Sequence, residues 1–118
     1  MIKKEFDQRL YKYAVSIVKC VDGFAKDVSA RAIANQLIRS GTSVVANIVE
    51  AKGASSRKDY INFYTHSLKS ANESKLWIGL ARDTGKLPKN QANSILEETT
   101  EIANILGASI ITMKKNKG

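Results

Sequence analysis

One cysteine, one histidine and one proline in 118 residues each remove a class of structure or chemistry. A lone Cys20 excludes an intramolecular disulfide, so the chain must hold itself together by packing. A lone His66, with Phe63 rather than a glutamate three residues before it, cannot supply the paired Glu-x-x-His motifs of a bundle di-metal site. One His and one Cys do not close a zinc site either. No metal or cofactor is expected. Several serines share that single histidine, so no nucleophile, base and orienting group can be assembled within one chain. Lys52-Gly53-Ala54-Ser55-Ser56 lacks the spacing of a phosphate-binding loop. Long apolar runs are missing as well: Ile105 to Met113 is interrupted by Gly107, Ser109 and Thr112 and falls far short of the roughly 20 residues that cross a bilayer. No membrane partner is expected, and the charged start Lys3-Lys4-Glu5 with a single thiol points to the cytoplasm.

Acidic residues are scarce beside basic ones, eleven against nineteen, giving a net charge of +8. That balance biases the protein toward anionic surfaces such as RNA or DNA. Part of the excess is the tail over residues 114–118, which also reads as a solvated helix end complementing the helix dipole.

What is present is helical periodicity. Phe6, Leu10, Tyr13, Ala14, Ile17, Val18, Val21 and Phe24 recur at three- and four-residue steps, predicting a first helix from Lys3 to about Phe24. Ser29 reads as the N-cap of a second helix ending near Lys52, with Gly53 after it. Ser56-Arg57-Lys58-Asp59 has capping-box spacing and opens a third helix, which Gly85 stops. Pro88 suits the first turn of a fourth, whose Ile95, Thr99, Ile102, Leu106, Ser109 and Met113 keep the alternation. No stretch alternates with period two. Four long helices joined by short loops predict one all-α domain over residues 1–118, an antiparallel up-down-up-down four-helix bundle.

Two patterns stand apart from the core. On the second helix Ser40, Ser43, Asn47 and Glu50 form a small, polar stripe beside the apolar Leu37, Val44, Val45 and Ile48, and Ser67, Ser70, Glu73 and Ser74 form its counterpart on the third. These eight polar positions are candidates for a helix or subunit interface, the alternative being plain solvation. Gly41, Gly79 and Gly107, all inside predicted helices, suggest close helix approach. The second pattern is basic. Lys75, Arg82 and Lys86 fall within about 20° of one another on a helical projection, and Lys12, Lys19 and Lys26 step by sevens. Lys12, Lys19, Lys75, Arg82 and Lys86 are therefore the candidate phosphate contacts, although no aromatic residues interleave them for base stacking.

Gln36, Arg39, Ser40-Gly41-Thr42-Ser43, Ala46-Asn47-Ile48 and Glu50, followed by Ser56, Asp59-Tyr60-Ile61, Ser67-Leu68-Lys69, Ala71, Glu73-Ser74 and Trp77, resemble a known family. It comprises the small four-helix-bundle proteins encoded in intervening sequences of bacterial 23S ribosomal RNA genes. A related branch is the accessory variability protein of diversity-generating retroelements, a basic barrel that binds a reverse transcriptase and nucleic acid. The resemblance implies a homopentamer with a charged surface; it does not imply an enzyme. One departure is Ala51, where many members have glycine after the glutamate; it suggests a second helix continuing toward Gly53.

The expectation is a non-enzymatic cytoplasmic homo-oligomer whose basic surface engages RNA or DNA without reading sequence. A rival is a scaffold that recruits a protein, such as a nucleic-acid-processing enzyme, with the charge serving solubility. An enzymatic reading survives only as a site shared between subunits around Glu50, Glu73 and His66.

Overall fold

Four helices account for almost all of residues 3–116, which are the residues that the computed structural model of the chain describes. They are α1 (Lys3–Asp22), α2 (Val28–Ala51), α3 (Arg57–Asp83) and α4 (Lys89–Lys115). The connections, 23–27, 52–56 and 84–88, are each five residues long, too short for anything but antiparallel neighbours. The result is an all-α four-helix bundle measuring 51 × 23 × 20 Å, with no strand among the described residues. α3 packs intimately against both α2 and α4; α1 sits more loosely, and its seam with α4 is the least intimate of all. α1 and α3 lie diagonally across the core.

Each helix turns one apolar face inward. Leu10 and Ile17 of α1, Leu37 and Val44 of α2, Ala71 and Ile78 of α3, and Ile102 and Leu106 of α4 are buried. Each fully buried Leu or Ile contributes about 1.5–3 kcal/mol. One polar layer interrupts this core, and every helix supplies a hydroxyl to it. Tyr13 and Thr99 share a 2.7 Å hydrogen bond, and Ser40 and Ser74 share one of 2.8 Å. Among the described residues no buried side-chain nitrogen or oxygen lacks a partner, so the layer is fully satisfied.

The helix ends differ from the sequence reading in instructive ways. α1 ends at Asp22, and Phe24 buries its ring from the turn beyond. The N-cap of α2 is Asp27, not Ser29: its carboxylate accepts from Ala30 N at 2.9 Å, leaving Ser29 inside the first turn. α2 runs through Ala51 and is capped by Lys52, but Gly53 does not adopt the left-handed conformation expected of a terminating glycine. Ser56 does cap α3, accepting from Asp59 N at 3.0 Å, while the Asp59 carboxylate reaches back to Ser55 instead of Ser56. Gly85 ends α3 with φ +73; Lys86 N donates to Ala81 O and Gly85 N to Arg82 O, the paired bonds of a Schellman motif. Pro88 stands one residue before α4, as its N-cap.

Close approach explains only one of the three helical glycines. A Cβ on Gly41 would lie 2.9 Å from three side-chain atoms of Ile17, so α1 crosses α2 there. At Gly79 and Gly107 nothing lies within 4 Å.

Candidate nucleic-acid interface

The two small polar stripes face each other within the chain. Ser40, Ser67 and Ser74 are fully buried, while Ser43, Asn47 and Ser70 are half-buried at the edge of the α2–α3 seam. Ser67 Oγ donates to Val44 O at 2.6 Å, Ser70 Oγ to Ser43 Oγ at 3.0 Å, and Asn47 Nδ2 to Ser43 O at 2.9 Å. Serines have little bulk, so the helices approach closely and each hydroxyl finds a partner across or along the seam. Outside it, Arg39 bonds both Gln36 and Glu73, and Trp77 Nε1 donates to Glu73 Oε2 at 2.9 Å. Glu50, by contrast, is exposed. The stripe is thus largely occupied by the chain's own α2–α3 contact.

The candidate basic residues do not form one surface. Lys12 and Lys19 stand on α1 and Lys75 and Arg82 on α3, diagonal helices whose outer faces point apart. Lys86 is not on α3 at all, because the helix ends at Asp83 and the Schellman turn redirects the chain. Two of the five are neutralised locally: Arg82 pairs with Asp83 at 2.8 Å, and Lys86 Nζ with Asp27 at 2.8 Å. The Arg82 guanidinium holds the Asp83 carboxyl below the usual range, and the Lys86 ammonium, with Ala30 N, does the same for Asp27. Lys12 and Lys19 are exposed and make no ion pair among the described residues.

Lys19, Arg82 and Lys86 nevertheless stand at the same end of the bundle, because of the topology. The C-terminal ends of α1 and α3 and the N-terminal ends of α2 and α4 share one end of the bundle. There, residues 19–31 and 82–89 carry Lys19, Lys26, Arg31, Arg82, Lys86 and Lys89 against Asp22, Asp27 and Asp83. The two connections are tied by Ala25 N donating to Lys86 O at 3.0 Å. Arg31 and Lys89 belong to no helical row and escaped the periodicity argument; the signal that finds them is their place beside loops of the same end.

The opposite end is also basic, but several of its cations are committed. Arg57 Nη2 donates to Met113 O at 2.7 Å and Asn116 O at 2.5 Å, satisfying carbonyls at the C-terminus of α4. Lys52 pairs with Asp7 at 2.7 Å, and Lys3 lies 5.6 Å from the Tyr60 ring centre. Lys114 and Lys115 of the basic tail are exposed on the last turn of α4, whereas residues 117 and 118 lie outside the described residues. Mid-bundle, Arg9 binds Glu98 through two nitrogens, at 2.7 and 2.8 Å, and Glu101 at 3.2 Å. Charge is therefore concentrated at the two ends.

Chemistry-bearing groups remain dispersed. His66 is exposed on α3, and Cys20 is half-buried on α1, where burial pushes its thiol up to about 11. No group of three or more His, Cys, Asp or Glu residues is placed to hold a metal ion among the described residues. No described helix is long and apolar enough to cross a membrane.

Comparison with known proteins places these observations in a family. The family described as 23S rRNA-intervening sequence protein matches residues 3–108. Among solved structures, a protein of unknown function from the S23 ribosomal protein family of Bacteroides thetaiotaomicron is similar, with 35% identity and a TM-score of 0.80. The alignment covers 88% of this chain and 96% of that one. A comparison with curated proteins finds no match.

Proposed function

This chain belongs to the 23S rRNA-intervening sequence protein family, and from that premise we propose that it is a non-enzymatic, cytoplasmic homo-oligomer, a pentamer, that holds RNA or DNA by its phosphates. The observation that carries the reading is the gathering of six cations and three carboxylates at one end of the bundle. Such an array attracts a polyanion without hydrogen-bonding to particular bases, so binding is broad and falls steeply with salt. Assembly is supported by apolar side chains left outside: Tyr11 of α1 is 69% exposed and Val49 of α2 is 60% exposed, flanking a groove floored by Leu10, Val45 and Ile48. Copies arranged around an axis would multiply the charged ends into one extended surface.

The test is native mass measurement of the purified particle before and after nuclease treatment. A mass of five chains, with additional nuclease-sensitive polymer, supports the proposal. A monomer free of nucleic acid, which also fails to retain RNA or DNA on a filter at low ionic strength, overturns it.

A second reading, a protein-recruiting scaffold, draws on Leu76 and Leu80, one turn apart and exposed on α3. A partner retained after complete nuclease digestion and released by Leu76→Glu favours that reading.

A further inference from the structure

The loosest seam of the bundle, between α1 and α4, opens into a groove. α1 and α4 are stapled midway by the Arg9–Glu98 pair, with the Tyr13–Thr99 hydrogen bond beneath. Toward the basic loop end the two helices part, leaving a cavity of about 490 Å³. Gln91 closes the far end, its Oε1 lying 3.7 Å from where a Cβ on Gly23 would sit. A cavity of this size falls within the roughly 300–1,000 Å³ typical of small-ligand sites.

Its chemistry is divided by wall. Tyr13, Cys20 and Ile95 give an apolar floor. The α4 wall presents Asn90, Gln91 and Ser94, whose side chains make no hydrogen bond to protein among the described residues. Lys19 stands at the α1 lip without a carboxylate partner, and Lys89 begins the helix that carries the amides. Glu98, the one carboxylate in the lining, is held by the Arg9 guanidinium, which blunts its repulsion of an anion. Amides carry a donor and an acceptor side by side, the pattern that base edges present. A duplex keeps those edges paired and stacked; a single strand can turn one base outward.

We propose that this groove takes one unstacked base of a single-stranded nucleic acid, held at its edge by Asn90, Gln91 and Ser94, with the adjoining phosphate against Lys19. The inference rests on the nucleic-acid reading above and adds a place and a strandedness to it. Cys20 supplies a reporter, because the only thiol of the chain lines the cavity.

The experiment measures alkylation of Cys20 by N-ethylmaleimide in the full chain, alone and with saturating oligo(U), oligo(dT) or a short duplex, beside the binding constants of all three. The expected result is that a single strand binds and slows alkylation several-fold while the duplex does not. The combined variant Asn90→Ala, Gln91→Ala, Ser94→Ala is expected to bind single strands about tenfold more weakly and the duplex unchanged. Protection by oligo(U) alone assigns the ligand to RNA; protection by both polymers assigns the site to either. If single strands bind but Cys20 reacts at its free rate, or if the duplex protects equally, the groove is overturned and the nucleic-acid reading stands. If none of the three binds, both fall together.

Discussion

The hydroxyls of Tyr13 on α1 and Thr99 on α4 meet 2.7 Å apart in the buried centre of the bundle, each less than 2% exposed. Thr99 also donates to Ile95 O at 2.7 Å, which leaves its lone pairs for the tyrosine. Because an apolar register would leave these groups unpaired, the layer fixes how the loosely packed α1 sits against the rest. Thr99→Val should cost about 1–3 kcal/mol, the penalty of stranding a buried hydroxyl. Tyr13→Phe should cost less when Thr99 is already valine, and urea unfolding of the double-mutant cycle measures the coupling. Strict additivity would mean that the bond is not a shared constraint.

Alkaline pH acts on the same layer. Burial pushes the Tyr13 hydroxyl from 10.0 up to about 12, and burial pushes the Cys20 thiol from 9.0 to about 11. Above the unfolded values the unfolded chain binds fewer protons than the folded one, so stability falls as pH rises. The loss should begin near pH 9 and deepen to about pH 12. Equilibrium unfolding of Tyr13→Phe and Cys20→Ala across this range should each show a shallower decline; curves parallel to wild type would refute the assignment.

At Gly41 a methyl group has nowhere to go, since Ile17 is itself fully buried. Gly41→Ala should destabilise by about 1–3 kcal/mol despite its better helix propensity. Gly79→Ala and Gly107→Ala meet open space and should stabilise by up to about 1 kcal/mol. Thermal melts that rank the three substitutions alike would contradict the observed α1–α2 crossing.

Charge reversal separates the ends of the bundle from its middle. Lys19→Glu with Lys89→Glu should weaken RNA retention more, and flatten its salt dependence more, than Lys12→Glu with Lys75→Glu. Equal losses from both pairs would assign binding to net charge alone.

The exposed Tyr11 and Val49 make a prediction about assembly. Replacing both with glutamate should leave helicity intact and release monomers in a sedimentation experiment. An unchanged particle would place the contact between copies elsewhere.

Periodicity was enough to read four helices and their antiparallel order, because apolar spacing and short loops constrain both directly. It was weaker at the caps. Asp27 and Ser29 are both good acceptors two residues apart, and only the path of the chain decides that Ala30 N faces Asp27. The serine stripes were visible, yet a helical projection cannot say whether a face meets water, another helix or another subunit. The basic rows were incomplete for a related reason. Spacing aligns residues on one helix but does not say which helices are neighbours, nor that Asp27 and Asp83 stand beside Lys86 and Arg82. Arg31 and Lys89 needed the topology before they became visible.

The two connections at the cation-bearing end are cross-linked: Ala25 N to Lys86 O, Lys86 N to Ala81 O, and the Lys86 ammonium to Asp27. An array mounted on such a braced frame behaves as a stamp, not a brush. If it binds polyanions as proposed, it would lose little freedom when the ligand arrives, and a polyanion whose phosphates are wrongly spaced would gain nothing from the frame bending to meet it.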